Sequence, residues 1–190
     1  MKHVASLLLM ATIAVSLPAG ADPTEARVAA ARNAAKTFQG ALQSELQAAM
    51  KAGGPTEAIE VCKTRAPAIG ADISKKEKMQ IGRTSLKLRN AANAPDAWEK
   101  TVLELFALRK KGGENPANLE FYEVTTRDGK KVFRYMKAIA IPEGAPCLAC
   151  HGEKIDAGAA AKLKQLYPND QATGYRTGDI RGAFTVTQPM

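Results

Sequence analysis

Two runs rich in aromatic and β-branched residues, Leu119 to Thr126 and Lys131 to Ile141, flank the tetrapeptide Arg127-Asp128-Gly129-Lys130. An Asp-Gly pair between such runs favours a tight type I′ turn, which commits this part of the chain to an antiparallel hairpin. In the second run both alternating faces are mostly apolar, with Val132, Met136 and Ala138 on one and Phe133, Tyr135 and Ile139 on the other. A strand of that kind is expected in the middle of a sheet. Ser85 to Arg89, alternating around Leu86 and Leu88, and a last run through Ile180, Gly182, Phe184 and Val186 are the other expected strands.

Helical periodicity governs the rest. After Asp22-Pro23-Thr24, which offers N-caps and a tolerated early proline, Val28, Ala31, Ala35, Phe38, Leu42, Leu46 and Ala49 recur at helical spacing until Gly53-Gly54. Pro55-Thr56-Glu57 opens a second helix whose stripe is Ile59, Cys62, Ala66, Ile69 and Ile73, with Pro67 expected to kink it. Cys62 thus points into the core with its apolar neighbours. Asn93-Ala-Pro-Asp96 caps a helix carrying Trp98, Val102, Leu105, Phe106 and Leu108, closed by Gly112-Gly113. A short helix spans about Asp156 to Tyr167, stopped by Pro168. The pattern predicts one α+β domain, an antiparallel sheet with helices packed at one side and a ligand-sized loop at its edge.

The N-terminus reads as an export signal. Lys2 precedes an apolar stretch from Val4 to Leu17, Pro18 breaks it, and Ala19-Gly20-Ala21 supplies small residues for cleavage before Asp22. The stretch falls short of the roughly 20 apolar residues a membrane span requires. Residues 1–21 are therefore expected to be a signal peptide and residues 22–190 the exported domain, with no stable membrane insertion after its removal. Losing Lys2 leaves 26 basic against 19 acidic residues, a charge of +7. The basic residues are scattered along the chain, which argues against nucleic acid and for a solvated surface or an acidic redox partner.

Pro142-Glu-Gly-Ala-Pro146 delivers the chain into Cys147-Leu148-Ala149-Cys150-His151-Gly152. C-x-x-C-H is the attachment pattern of a c-type haem. Two thiols at this spacing can add to the two vinyl groups on one porphyrin edge, and the following imidazole reaches the iron. A disulfide couple is the first alternative, although the aromatic residue usual before its first cysteine is missing. A Cys₃His zinc site completed by Cys62 is the second, but adjacent Cys150 and His151 would both have to ligate one tetrahedral ion.

Two histidines occur, and His3 lies in the signal segment, so His151 is the only one in the expected mature chain. Bis-histidine ligation within one chain is thereby excluded. The second axial position falls to methionine, cysteine, lysine, an amine, water or nothing. Among Met50, Met79, Met136 and Met190, Met136 lies on the central strand nearest the motif. Cys62 is the remaining thiol. It is either a ligand or a buried inert cysteine, which packs like a small hydrophobe.

Five ordered blocks resemble a known family: Ala58-Ile-Glu-Val-Cys62-Lys-Thr-Arg-Ala-Pro67, Ile81-Gly-Arg-Thr-Ser-Leu-Lys-Leu-Arg-Asn90, Asn93-Ala-Pro-Asp-Ala-Trp-Glu99, Cys147 to Gly152, and the tail from Tyr167-Pro168 through Gly174-Tyr175 to Gly182. The chain is similar to exported single-haem c-type proteins of cyanobacterial type and to haem-containing sensory input domains of bacterial kinases and chemoreceptors. The resemblance implies a PAS-like fold with one covalent haem c, and His/Cys axial ligation in which Cys62 matches the family's cysteine. An anionic thiolate favours the ferric state and so a low potential. The resulting expectation is a periplasmic electron carrier of a Gram-negative-type bacterium. The alternative is a redox or NO/CO sensor that passes its signal to a separate partner. An enzyme is not expected, since a peroxidase would need a second acid–base group beside the iron. Arg65, one turn beyond Cys62, is either a stabiliser of the thiolate charge or a surface residue. The alanine-rich first helix also offers a face for a homodimer.

Overall fold

The structure is a computed structural model that describes residues 22–190, so the expected signal peptide lies outside the described residues. Helix α1 (Pro23–Glu77) begins with the Asp22 carboxylate accepting the backbone N–H of Thr24 at 2.8 Å. It is broken at Gly53 and at Gly54, whose φ of 69° and ψ of −157° lie where only glycine is at ease. The two arms fold back on each other, and Arg65 of the second reaches Glu45 of the first at 2.7 Å. Gly70 permits this close approach, because a Cβ there would stand 3.2 Å from Phe38 Cε1. The arms thus begin and end where the glycine pair and Pro55 predict. Pro67 introduces no break, since the non-helical residues inside α1 are Gly53 and Gly54.

The sheet is antiparallel, with strands β1 (Gln80–Thr84), β2 (Glu120–Arg127), β3 (Lys130–Ala140) and β4 (Ile180–Pro189) in the order β1-β4-β3-β2. The expected hairpin joins β2 to β3, and positive φ at Asp128 (52°) and Gly129 (74°) defines the type I′ turn. As expected, β3 is interior. The strand expected at Ser85–Arg89 instead lies just upstream as β1. Ile81 and Thr84 are its buried members, while Leu86 is 46% exposed in the turn beyond. Alternation around leucines misled here because Ser85 and Arg89 turn their polar groups to backbone carbonyls, Ser85 to Arg181 on β4 and Arg89 to Cys150 in the cysteine–histidine turn.

Helices cover both faces of the sheet, not one. Phe133, Tyr135, Phe184 and Val186 pack on α1, whereas Met136, Ala138 and Ala183 pack on Val102, Leu103 and Phe106 of α2 (Ala97–Lys111). This is the physical reason for the two-sided apolar pattern of β3. Helix α2 starts in a reciprocal capping box between Asp96 and Glu99. Beneath it Arg134, its side chain 4% exposed, pairs with Asp96 at 2.8 Å and Glu99 at 3.1 Å, and its guanidinium lies 4.1 Å from the Trp98 ring centroid. Two carboxylates thus neutralise one buried arginine. Helix α3 (Leu148–His151) is a single turn, and α4 (Ala157–Leu166) packs Ala159 and Leu163 on Ile59 of the second α1 arm. Among the described residues no helix is long and apolar enough to cross a membrane.

Candidate cofactor cavity around the cysteine–histidine turn

On the α1 face, where β1, the start of β4 and the end of β3 meet both arms of α1, the structure encloses a cavity of about 760 Å³. Cys62, Cys147, Cys150 and His151 all line it. Cys62 is half-buried on the cavity wall, and not sealed in the core as its apolar stripe predicts. Its helical stripe runs along the boundary between packed core and open space. All three cysteines are free thiols. The four ligand-type residues share this wall without closing into a metal-ion cluster among the described residues.

The turn bearing the motif is held rigidly. His151 N–H donates to Cys147 O at 2.9 Å and Gly152 N–H to Leu148 O at 2.9 Å. At Gly152 a Cβ would lie 2.5 Å from that same Leu148 oxygen, so the turn requires glycine after the histidine. Backbone bonds from Tyr175 N–H to His151 O and from Gly174 N–H to Gly152 O, both 2.9 Å, tie the turn to the tail segment.

His151 Nδ1 lies 2.8 Å from the carbonyl oxygen of Ala172. A carbonyl only accepts, so Nδ1 carries the proton and Nε2 keeps its lone pair. Burial, reinforced by the charges of Arg181 and Arg89, drives the imidazole pKa well below its ordinary value and keeps the ring neutral. Burial also pushes the Cys147 and Cys150 thiols up, so both are protonated at neutral pH. A neutral imidazole with a fixed tautomer is what axial ligation asks for.

Sequence reasoning missed the residues that hold this arrangement. Arg89 donates to Cys150 O at 2.6 Å and Ala172 O at 3.2 Å while paired with Asp170, whose other oxygen accepts Ala172 N–H at 2.8 Å. Arg181 places Nε over the imidazole edge, 3.2 Å from His151 Nδ1 and 3.4 Å from Nε2; with Nδ1 protonated toward Ala172 only Nε2 can accept from it, so a metal at that nitrogen requires the guanidinium to turn aside. A basic residue in a turn carries no local signal of such a role. The other candidates separate cleanly. Met136 is fully buried beneath α2, Met79 is buried in the α1 core, and Met190 is 58% exposed, whereas Met50 lines the cavity. Arg65 is taken by Glu45 on the surface.

A mixed α+β domain with a wide cavity, entered by a one-turn cysteine–histidine segment, defines a cofactor-pocket protein. Residues 21–189 match the model of the Tll0287-like family, described as Tll0287, and the chain belongs to that family. Its structure is similar to the crystal structure of the cyanobacterial heme-protein Tll0287, at 26% identity and a TM-score of 0.59, over 90% of this chain and 98% of that one. Among curated proteins none matches.

Proposed function

We propose that this protein is an exported, periplasmic c-type cytochrome with a PAS-like fold, carrying one covalent haem in the cavity and serving in electron transfer. Cys147 and Cys150 are its thioether anchors, and His151 and Cys62 are its axial ligands. The observation that carries this reading is the convergence of Cys62 with the C-x-x-C-H turn on one cavity, although they are far apart in sequence. Kinship with a protein described as a heme-protein supports it. So does the volume, which falls within the usual range for cofactor sites. Bound haem would supply a one-electron iron couple. The residues around it bind, orient and tune. Ala172 and Arg89 fix His151, and a Cys62 thiolate donates charge that favours the oxidised state and a low potential.

One observation favours a second reading, a redox or NO/CO sensor acting on a separate partner. Cys62 sits on the second arm of α1, hinged at Gly53-Gly54 to a first arm that packs along the sheet. Release of Cys62 would free that arm to shift. Three measurements decide. The alkaline pyridine haemochrome spectrum reports two thioethers if the cofactor assignment is right, and a b-type or absent spectrum overturns it. Ferric EPR of Cys62→Ser loses the thiolate low-spin signal, and an unchanged signal and potential overturn the Cys62 assignment. Rapid electron exchange with a periplasmic donor, without CO or NO binding by the ferrous protein, supports the carrier over the gas sensor.

A further inference from the structure

Among the described residues, one arginine on the cavity wall has neither an anion nor any other side-chain hydrogen-bond partner. Arg83, on β1, lines the cavity with its guanidinium carbon 5.5 Å from the Phe38 ring centroid. Among the described residues it makes no side-chain hydrogen bond and no ion pair, although it carries five N–H donors. Burial pulls its pKa below the ordinary arginine value, opposed only by Cys62 and Tyr167. Tyr167 is itself pushed up to about 12, chiefly by burial, and is therefore a neutral phenol. No carboxylate of a packed element pairs with Arg83, and Glu143, the one acidic residue on the cavity wall, is exposed on the loop after β3.

The same chain treats its other withdrawn arginines differently. Arg134 has Asp96 and Glu99, and Arg89 has Asp170 and two backbone carbonyls. Arg181, also on the cavity wall, is held by Ser85 Oγ at 3.1 Å and the Lys87 carbonyl at 3.4 Å, but has no carboxylate. Arg83 is half-buried, and its unpartnered guanidinium leaves five N–H donors open to whatever fills the cavity, so an anionic group of an occupant would find its partner there.

We propose that Arg83 is the receptor for a carboxylate arm of the cavity's occupant, a propionate in the case of haem. Its identification with haem rests on the reading above, but the unpartnered guanidinium does not. A porphyrin tethered through its vinyl edge at Cys147 and Cys150 directs its propionates to the opposite edge. A cation on the cavity wall that pairs with one of them would fix which way the ring lies. Arg83 is thus a binding residue distinct from the four anchoring and ligating groups.

The test compares haem with its dimethyl ester, which has the same ring and no carboxylates. Full-length protein carrying Cys147→Ala and Cys150→Ala, so that binding is non-covalent, is titrated with both and followed at the Soret band. Haem is expected to bind roughly tenfold or more tightly than the ester, and Arg83→Gln lowers that ratio by roughly tenfold while Arg83→Lys restores part of it. A ratio unchanged by Arg83→Gln overturns the proposal and leaves the haem assignment standing. Failure of both ligands to bind overturns both. In the covalently loaded protein, Arg83→Gln shifts the midpoint potential to more negative values, because a positive charge near the iron has been removed. If the potential is unmoved and only the thiolate EPR signal changes, Arg83 serves Cys62 instead and the proposal is wrong.

Discussion

Arg89 and Asp170 meet at 2.9 Å with their side chains 7% and 10% exposed, directly beneath the turn that carries His151. The pair does not contact the imidazole. It acts through the Ala172 carbonyl, which Arg89 holds from one side and His151 from the other.

Breaking a buried pair by removing one partner leaves an uncompensated charge and costs about 3–5 kcal/mol. Asp170→Asn and Arg89→Leu are each expected to lower stability by that order in urea denaturation. The double variant Arg89→Met/Asp170→Leu loses less than either single change, since no charge is left alone. Both single variants also broaden the ferric EPR spectrum by loosening His151.

Met136 and Cys62 make opposite predictions. Met136 is fully enclosed beneath α2 and faces away from the cavity. Met136→Leu therefore costs less than about 1.5 kcal/mol and leaves the haem spectrum intact. Met136→Ala costs about 2–5 kcal/mol and still leaves it intact. A changed spectrum in Met136→Leu would restore methionine as an axial candidate.

Two glycines are fixed by close backbone approach. A Cβ on Gly182 would stand 2.3 Å from Thr84 O, and one on Gly152 2.5 Å from Leu148 O. Gly182→Ala and Gly152→Ala should each destabilise by about 1–3 kcal/mol, read from thermal melting, with Gly152→Ala also lowering the yield of haem-loaded protein. Gly40, with nothing within 4 Å of its absent Cβ and a place inside the first arm of α1, should behave oppositely. Gly40→Ala is expected to stabilise by about 0.5–1 kcal/mol.

Stability should fall in acid for identifiable reasons. A side-chain bond from Arg32, aided by Tyr135, holds the Glu120 carboxyl below its ordinary pKa. Burial pushes Asp96 up but is outweighed by the Glu99 amide and Arg134, so it too lies low. A carboxylate with a lowered folded pKa contributes stability that is complete above its unfolded pKa near 4 and lost as pH falls through the folded value. Melting temperature is thus expected to be flat from about pH 7 to 5 and to fall below about pH 4. Glu120→Gln and Asp96→Asn each flatten that descent.

Local chemistry made much of the fold legible. The Asp-Gly turn, the Asp96 cap, the Gly53-Gly54 break and the β3 pattern each act through neighbours a few residues away, and the structure keeps all of them. The misplaced strand at Ser85–Arg89 shows the limit. Its alternation was real, but Ser85 and Arg89 point at the carbonyls of Arg181 and Cys150, nearly a hundred and some sixty residues downstream, which no stretch of neighbouring residues reveals.

By itself the sequence determined most of the elements, the attachment-type motif, and the scarcity of histidine that turns attention to Cys62. Only the tertiary structure decided that Cys62 and His151 share one cavity, that Met136 is excluded from it, and that helices cover both faces of the sheet. Hydrogen-bonding and side-chain preferences are set by near neighbours along the chain. A cavity is set by which distant surfaces fail to fill the space between them, and the same packing leaves Arg83 there without a partner.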